Sequence, residues 1–531
     1  MMRVIEGARY VVIPDENTCY VCLQKQVRDT DSFVFRTGNP LKTVHPSTAN
    51  PFFAQALETA QECFFAHGIS ISKNSLATRA AHSTCRHMHA DEQQCSQVSG
   101  YRARSLKDFF RTTKEINFVS PVHATIGMNI YHDLKGLGTA KSSGFMIRYR
   151  GSDSFMRPWG GHCENFNDAA RLGILEGIER IECESAPNAP YSISDKAEKI
   201  GLDQFGLDIG PWKIPNPKVG AWSPGRFLDD RTSSFLGSEV ALPERLVYYA
   251  PTVDTSQWVQ DSSNGCALGG SEPEAILFGL LEVIERDAFL AAWYGGLDLV
   301  PIDLKTVQNR VSQSYLQRLS LSGVEVTLLN ATIGVQIPTV IAVCEEPGGS
   351  TCVGAGSHPD PERALKSALI EVASDFQVAA AHREQRAAEL DAMLADYSLV
   401  QVMEDHADMF ASPDARPLIA RWRHPNKVPV PITALKRTEI YGKSVKEDLR
   451  FSIQQCQNAG FKPIACDLTD GLARTVGAHV WKVVIPGLIP LDFGCYQRVY
   501  SMSRLEKVVR SFGDLPASSQ FYPVMIPHPF P

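Results

Sequence analysis

Two segments of this 531-residue chain share one unusual pattern, an apolar run that contains Glu-x-x-Glu-Arg. The first covers Ala169–Arg180 and the second Ala275–Arg286, and they agree at Ala, Gly, Leu, Glu, Ile, Glu and Arg. Apolar residues spaced three and four apart predict helices, and glutamates three residues apart then lie on one face. Because a carboxylate is costly to bury without a partner, acids on such apolar helices require a cation. The repetition therefore predicts related helices within one domain.

The cation that pairs with these acids could be the arginine that ends each motif, or a hard metal ion. A third apolar helix is predicted over Arg363–Phe376 and keeps a single acid, Glu371. Magnesium is bound by a few carboxylates together with phosphate oxygens and water. Two copies inside matching apolar frames favour a metal–nucleotide site over a pair of surface salt-bridge helices. The acids that could hold Mg²⁺ against a triphosphate are Glu176, Glu179, Glu282, Glu285 and Glu371, with Arg180 and Arg286 offsetting charge or gripping phosphate.

A glycine-rich loop precedes the second motif, between Asp261 and Gly270. Within it, Ser263-Asn264-Gly265 predicts a turn. A loop of this kind that leads into a helix can present backbone N–H groups to phosphate, so Ser263 and Asn264 join the candidate nucleotide site. The sequence contains no complete Walker A motif, no convincing GxGxxG turn, no kinase motif set and no His-Glu-x-x-His.

Length, composition and charge exclude several classes of protein. The length fits two or three domains, and 44% apolar with 21% charged residues is ordinary for a soluble globular protein. The net charge of −7 gives no reason to expect nucleic acid as a partner. No run of roughly 18 apolar residues predicts a membrane span, and the first residues lack the apolar core of a signal peptide. Thirteen irregularly spaced cysteines favour a reducing compartment, so we expect a cytoplasmic protein.

The chain divides into an N-terminal segment, residues 1–115, and a larger segment, residues 116–531, in which the pattern becomes α/β. β-Branched runs at Val326–Asn330 and Thr339–Cys344 alternate there with amphipathic helices. We expect the N-terminal segment to be a small accessory domain that docks a partner.

Within the N-terminal segment, Met1–Pro14 is predicted to be a short strand with an apolar run at Tyr10–Ile13, and Pro51–His67 is predicted to be helical. The segment also carries Cys19-x-x-Cys22, a spacing found in zinc sites and in unrelated thiol pairs. Free thiols and a Zn²⁺ site are both open, and the further zinc ligands available are Cys85, His87, His89 and Cys95.

From about residue 118 to its end the sequence resembles the YcaO superfamily. The resemblance lies in Leu175–Arg180, Ser263–Gly265, Glu274–Ala275, Leu281–Arg286, Ala368–Glu371 and the Pro-Gly segment Val484–Pro490. It implies an α/β, YcaO-type ATP-binding domain, here with a small accessory domain, that uses ATP to activate a peptide amide. Glu176, Glu179, Glu282 and Glu285 match the magnesium-binding acids of the family, and Glu274, Arg286 and Glu371 match other residues of its nucleotide site.

The final residues, Pro527-His-Pro-Phe-Pro531, have the composition of a polyproline II segment. Within this family, Pro-x-Pro-x-Pro resembles the mark of azoline-forming cyclodehydratases, with the Pro531 carboxylate as a catalytic base or as a group that positions one. The implied reaction closes Cys, Ser or Thr residues of a precursor peptide to thiazolines or oxazolines at the expense of ATP. The alternatives are a thioamide-forming YcaO enzyme and a non-catalytic scaffold that docks peptides.

The resemblance also implies partners. The segment around Cys19, Cys22 and Arg28 resembles part of the E1-like proteins that accompany cyclodehydratases and bind the leader of the precursor. We therefore expect a precursor peptide, an E1-like partner, and a homodimer or a heteromeric complex. No flavin motif is visible, so a flavin-dependent dehydrogenase that oxidises the rings would be another subunit.

Two positions depart from the family pattern. Gly160-Gly161-His162 stands where the family often has Gly-Lys-Gly, and Ser367 stands where an arginine is usual. Lys366 and Arg363 are the nearby cations that could replace that arginine. Both departures concern contacts to phosphate.

Overall fold

The computed structural model describes most of the chain after residue 101 and five short strands before residue 74. The described ranges are 102–111, 118–119, 126–127, 130–134, 138–150, 153–184, 193–205, 208–209, 219–248, 262–436, 444–491, 493–494, 499–512 and 519–530. Pro531, Cys19, Cys22, Cys85, His87, His89 and Cys95 lie outside them, so the zinc prediction stays untested.

The strands follow one another in chain order. They are β1 Val4–Glu6, β2 Tyr10–Ile13, β3 Lys42–Val44, β4 Phe64–Ala66, β5 Ile69–Lys73, β6 Tyr131–His132, β7 Ala140–Arg150, β8 Asp153–Cys163, β9 Glu198–Lys199, β10 Asp208–Ile209, β11 Trp222–Leu228, β12 Leu236–Pro243, β13 Cys266–Gly269, β14 Val300–Pro301, β15 Glu325–Asn330, β16 Thr339–Glu345, β17 Thr351–Ser357, β18 Ile464–Asp467, β19 His479–Val484 and β20 Val499–Tyr500. The strands predicted at Val326 and Thr339 are confirmed. The single strand predicted over Met1–Pro14 is wrong in extent, because two strands, β1 and β2, pair there. The helix predicted over Pro51–His67 is wrong at its end, where β4 pairs with β5.

The described α-helices include the three predicted from the motif repeat. They are α1 Leu106–Phe109, α2 Phe166–Glu182, α3 Glu244–Val247, α4 Glu272–Tyr294, α5 Arg310–Leu321, α6 Pro361–Gln385, α7 Ala387–Ala395, α8 Met403–Met409, α9 Ala420–Arg423, α10 Val445–Asn458, α11 Gly471–Thr475 and α12 Met502–Ser511. Short 3₁₀ turns occur at Leu202–Phe205, Leu304–Thr306, Tyr397–Leu399, Pro413–Ile419 and Ile432–Leu435. No helix of the described residues is long and apolar enough to cross a membrane.

The strands form several sheets, most of them antiparallel. The largest has the order β13-β19-β18-β11-β12-β9, and only its β12–β9 pair is parallel. β14 to β17 form a four-stranded antiparallel sheet, and β6 to β8 a three-stranded one. The first five strands form a sheet of order β3-β1-β2-β5-β4, and β10 pairs with β20. The mixed α/β class that the sequence predicted is confirmed.

Helix α4, which carries the second motif, lies in the interior. Its residues from Glu274 to Tyr294 are mostly buried, as expected for a helix that is apolar on every side. Its first half packs on β13, β19 and α10, and its second half contributes Phe289, Trp293 and Tyr294 to another core. Helix α2 packs on β7 and β8, and α6 packs on β16 and β17. The three motif helices are therefore each backed by a different part of the sheets.

The late Pro-Gly segment is fixed to α4 by the residue that follows the second motif. Asp287 is 1% exposed, accepts the Ile489 backbone N–H at 2.9 Å and pairs with Arg504 of α12 at 2.5 Å. A buried carboxylate is stable when a charged donor and a backbone donor both satisfy it. Asp287 thereby joins Val484–Pro490 to the helix of the motif.

The end of the predicted accessory segment packs on the α/β region. Arg102 donates to Glu274 of α4 at 3.1 Å, and Arg104 donates to the carbonyls of Val476 and Gly477 at 2.7 Å. Phe109 and Phe110 join the core around α2. The described cysteines after residue 101 are all free thiols.

Glu182, the last residue of α2, makes stability depend on pH. Its side chain accepts the Ala473 backbone N–H at 2.9 Å, and burial raises its pKa to about 8. A folded-state pKa above the unfolded value means that this contribution to stability is complete below pH 4.5 and is lost as pH rises towards 8. We therefore expect Glu182→Gln to have a higher free energy of unfolding than the wild type at pH 9. The difference between variant and wild type should be more favourable at pH 9 than at pH 5 by an amount on the order of a few kcal/mol.

Urea unfolding of both proteins at the two pH values measures this effect. Glu325→Gln, on the exposed edge of β15, is the surface control and should behave like the wild type. An equal change at both pH values would show that the buried charge of Glu182 is not responsible.

Candidate functional site

The five acids predicted from the motif helices all reach the backbone of a neighbouring strand or loop. Each carboxylate accepts one backbone N–H. The donors are Gly160 to Glu176 at 2.7 Å, Leu268 to Glu179 at 2.8 Å, Gly265 to Glu282, Ser357 to Glu285 at 2.9 Å and Ala355 to Glu371 at 2.8 Å. A carboxylate held in this way has a fixed orientation and keeps lone pairs for another ligand.

Glycines let the helices approach the strands closely enough for these bonds. A Cβ on Gly354 of β17 would lie 2.6 Å from the Cβ of Glu371. A Cβ on Gly161 of β8 would lie 2.0 Å from the carbonyl oxygen of Ala169 in α2. Neither contact leaves room for a side chain, so glycine is required where each helix meets its strand.

Three of the acids, Glu176, Glu179 and Glu282, line one cavity of about 370 Å³. This volume lies within the range of small-molecule sites, roughly 300–1,000 Å³. The rest of the wall comes from the end of β8, from β13 and from neighbouring helices, with Arg102, Phe109, Gly160, Gly161, His162, Leu172, Leu175, Cys266, Ala267, Leu268 and Phe278. The structure thus brings acids of both repeats to one opening.

The other two acids, Glu285 and Glu371, lie together beside Arg286. Burial raises the pKa of Glu285 to about 7, and burial together with the charge of Glu285 raises the pKa of Glu371 to about 8. The Nε atom of Arg286 is 3.8 Å from Glu285. Within the described chain, the buried Nε and Nη1 atoms of Arg286 make no hydrogen bond. These donors are available to an anionic ligand.

Burial raises the pKa of two of the cavity acids, Glu179 and Glu282. Burial, followed by Cys266 and Glu282, raises the pKa of Glu179 well above its usual value. Burial also raises the pKa of Glu282, although Arg286 and Lys482 oppose the shift. Among the described residues no three metal-ligating side chains are already arranged around a point.

The predicted Ser263–Gly265 turn is present and lies against Glu282. The Cys266 N–H donates to the Ser263 carbonyl at 2.7 Å, and Gly265 has φ +83°. Asn264 is buried and lines a second cavity, of about 60 Å³. Its Oδ1 has no hydrogen-bond partner within the described residues. The backbone of the turn supports an acid of the large cavity, while the Asn264 side chain faces the small one.

Gly265 is the position of this turn most sensitive to substitution. A Cβ there would lie 2.2 Å from the Val483 carbonyl oxygen, in a left-handed backbone conformation. Gly460 has a similar φ of +87° but no atom within 4 Å of its Cβ position. We expect Gly460→Ala to cost about 1–2 kcal/mol of stability for the backbone alone. Gly265→Ala should cost about 1–3 kcal/mol more because it also overpacks.

Urea unfolding of the two variants measures this difference. Since both glycines have a similar positive φ, the excess cost of Gly265→Ala reports the contact with Val483. Equal losses for the two variants would contradict the close packing of the turn.

Two predicted nucleotide residues are engaged with the protein. Both oxygens of Glu274 accept hydrogen bonds, from Arg102 at 3.1 Å, Ala103 N–H at 2.8 Å and Gly270 N–H at 3.2 Å. Arg180 donates to Glu176 at 2.9 and 2.6 Å. Glu274 therefore fixes the first turn of α4 to neighbouring residues, and Arg180 lies beside the cavity acid Glu176.

Two residues near the cavity were missed by sequence reasoning as site residues. Lys141 of β7 is paired with Asp375 of α6 at 3.2 Å and lies opposite His162 across the β7–β8 pair. His162 lines the cavity, and its buried Nδ1 has no hydrogen-bond partner in the described chain. Burial, followed by Lys141, lowers the pKa of His162. His162 had a signal, the altered Gly-Gly-His segment, whereas Lys141 had none.

The cations considered as replacements at Ser367 are paired elsewhere. Lys366 lies 3.0 Å from Glu164, and Arg363 lies 3.4 Å from Asp360. The Ser367 side chain packs on Gly356, whose Cβ position is 2.8 Å from the Ser367 Cβ.

The Pro-rich segment, residues 524–530, ends in buried residues beside Arg286. Val524 N–H donates to the Tyr294 carbonyl at 2.7 Å, and Trp293 Nε1 donates to the Ile526 carbonyl at 3.0 Å. Phe530 is 1% exposed, and the Arg286 guanidinium lies 3.9 Å from the centre of its ring. The segment thus ends, as far as the described chain extends, on the arginine of the second motif.

Known proteins share this sequence and fold. A family model described as YcaO cyclodehydratase, ATP- and Mg²⁺-binding, matches residues 160–489, more than half of the chain. An uncharacterized protein of Methanothermobacter thermautotrophicus is 27% identical over 352 residues, which cover 64% of this chain and 84% of that protein.

Two solved structures have the same fold. A heterocyclase in complex with substrate and cofactor has a TM-score of 0.68 at 18% identity, covering 99% of this chain and 76% of that one. YcaO from Methanopyrus kandleri, bound with AMPPCP and Mg²⁺, has a TM-score of 0.52 at 21% identity, covering 73% and 92%. The predicted YcaO-type fold is confirmed, and the chain belongs to the YcaO family of ATP-dependent cyclodehydratases.

Proposed function

We propose that this enzyme uses ATP to convert Cys, Ser or Thr residues of a ribosomal precursor peptide into thiazolines or oxazolines. The observation that supports this most directly is the set of five acids on the motif helices, each fixed by a backbone N–H. Three of them line a cavity that fits a small-molecule ligand, and the other two lie beside Arg286. The chain belongs to a family described as ATP- and Mg²⁺-binding, and Mg²⁺ is a ligand that such acids could bind.

The residues fit a magnesium–nucleotide complex in their chemistry. Glu176, Glu179, Glu282 and Glu285 would hold Mg²⁺, which neutralises charge on the transferred phosphoryl group when bound. The unsatisfied N–H groups of Arg286 and the acid Glu371 would complete the nucleotide site. Ser263, Asn264, Glu274 and Arg180 remain proposed nucleotide-site residues, the last two acting while bonded to Arg102 and Glu176.

The proposed chemistry removes one water per ring. The side-chain thiol or hydroxyl attacks the carbonyl carbon of the preceding amide and loses its proton. The resulting oxyanion attacks the γ-phosphorus of ATP, and ADP leaves. The amide nitrogen then loses its proton and forms the C=N bond as phosphate departs with the former carbonyl oxygen. The products are azoline, ADP and phosphate, so the peptide loses the elements of water.

Both proton transfers need a base near the nucleotide. We propose that Pro531, which follows Phe530 directly, places its carboxylate there. The contact between Phe530 and Arg286 supports this, because it holds the preceding residue against the nucleotide-site arginine. The role requires a free carboxylate on Pro531, and intact-mass measurement of the purified protein tests this.

The partners follow from the same proposal. We propose that residues 1–115 dock an E1-like protein that binds the leader of the precursor, and that the complex includes two copies of this chain or further subunits. Oxidation of the rings would require a separate flavin-dependent dehydrogenase. A solved heterocyclase in complex with substrate and cofactor shares this fold.

Mass spectrometry of the precursor after incubation with enzyme, partner, Mg²⁺ and ATP tests the function. Loss of one water per modified residue is expected. Replacement of an amide oxygen by sulfur would instead identify a thioamide-forming enzyme. An unmodified peptide with no ATP turnover would contradict both and leave a docking scaffold.

A further inference from the structure

His406 of α8 contacts the Pro-rich segment at the point where that segment turns towards Arg286. The His406 side chain is fully buried, and its Nδ1 lies 3.1 Å from the His528 carbonyl oxygen. The rings of His406 and His528 lie 4.1 Å apart. This contact fixes the segment three residues before Pro531.

The hydrogen bonds of His406 determine its tautomer. The Gly494 backbone N–H donates to its Nε2 at 2.8 Å, and an N–H group can only donate, so Nε2 must carry a lone pair. The His528 carbonyl oxygen can only accept, so Nδ1 must carry the proton. The neutral Nδ1–H form satisfies both bonds. Each ring nitrogen therefore has one role that the other cannot take.

The residues after His528 are set by this anchor. The Phe530 N–H donates to His528 Nδ1 at 3.3 Å, which folds the chain back over the His528 ring. The Phe530 ring packs on Phe289 with 4.6 Å between centres and faces the Arg286 guanidinium at 3.9 Å. A shift at His528 would move Phe530 and the residue that follows it.

Helix α8 is itself fixed to the helix that carries Glu371. His382 of α6 bonds to Asp408 of α8 at 2.5 Å, and Arg386 forms an ion pair with the same carboxylate. The path from Glu371 runs along α6 to His382, across to Asp408, along α8 to His406 and from its ring to the His528 carbonyl. These contacts hold the Pro-rich segment at a fixed position relative to Glu371.

We propose that His406 is a positioning residue, which acts through the His528 carbonyl to place Phe530 against Arg286; this rests on the proposed function of the Pro-rich segment. His406 touches no substrate in this scheme. Its Nδ1–H bond sets where the segment lies, and the Gly494 bond keeps that proton on Nδ1.

Two substitutions separate this role from general packing. In His406→Asn the amide N–H lies near the former Nδ1 and can still donate to His528. In His406→Gln the amide lies near the former Nε2 and the donor to His528 is lost. We expect His406→Asn to keep ring formation near the wild-type rate and His406→Gln to lose roughly a hundredfold in kcat. For both, KM for ATP and precursor should stay unchanged, while His406→Gln forms fewer rings per ATP hydrolysed.

Equal kcat and equal rings per ATP for His406→Gln and the wild type would overturn the proposal, and so would equal losses in both variants. A second measurement covers the case in which the variants do not fold. In the ¹⁵N-histidine spectrum of the full-length wild type, His406 should show a protonated Nδ1 and an unprotonated Nε2. The opposite tautomer would overturn the proposal. A wild type that forms no azoline refutes the proposed function instead, whatever the tautomer.

Discussion

Glu282→Gln should lower ATP turnover in the presence of precursor and partner by roughly a thousandfold, equivalent to about 4 kcal/mol of transition-state stabilisation. Glu282 lines the large cavity, accepts the Gly265 N–H and comes from the second motif, so it faces acids of the first motif across the cavity. The amide of glutamine has nearly the same shape and can still accept that N–H. It carries no charge, and the proposed metal site would lose one anionic ligand.

The loss should not arise from unfolding. Burial raises the pKa of Glu282, so its ionised form is disfavoured in the folded protein. A folded-state pKa above the unfolded value means that the contribution of Glu282 to stability is lost as pH rises. The neutral glutamine avoids this loss, and Glu282→Gln should be at least as stable as the wild type at pH 8.

Coupled ATPase assays with thermal unfolding of the same samples check this prediction. Glu325→Gln removes an exposed carboxylate of β15 and should turn over ATP like the wild type. Unchanged turnover in Glu282→Gln would refute the assignment of the metal site. A large fall in melting temperature would show that the side chain serves the fold instead.

The motif helices and their acids could be predicted because one repeat encodes both packing and chemistry. The glycine that both copies share, Gly173 in the first and Gly279 in the second, shows how packing and chemistry are linked. A Cβ on Gly279 would lie 2.4 Å from the Gly265 carbonyl oxygen, so the helix can carry no side chain where it crosses the loop. The same crossing brings Glu282 to the Gly265 N–H. The apolar periodicity, the shared glycine and the glutamate of the motif therefore all reflect one contact, that of helix α4 with the Gly265 turn.

The rest of the site comes from segments with no pattern of their own. Lys141 reaches Asp375 across 234 residues of sequence, and Arg102 reaches Glu274 across 172. Side chains that are so far apart in sequence meet only through the tertiary fold. Such pairs leave no repeating pattern in the sequence, so periodicity cannot predict them. The strand at Phe64–Ala66 is similar, because pairing with β5 overrides a local helical pattern.

Removal of Pro527–Pro531 should abolish azoline formation while Mg²⁺–ATP still binds. The deletion also removes the Phe530 side chain from its place between Phe289 and Arg286. Loss of a buried aromatic side chain costs roughly 3–5 kcal/mol, so the truncated protein should melt at a lower temperature. Inactivity after truncation alone would not distinguish a lost base from a weakened core.

One alanine appended after Pro531 separates the two effects. The extended protein keeps Phe530, the His528 carbonyl and the bond to His406, so its melting temperature should match that of the wild type. Its terminal carboxylate lies one residue further along the chain, and a shift of that size should reduce the rate of ring formation roughly a hundredfold or more. Met525→Ser, at a half-exposed position of the same segment, is the matched control and should remain active. If the extended protein forms azolines at the wild-type rate, the Pro531 carboxylate is not the base, and the segment contributes only through the packing of Phe530 on Arg286.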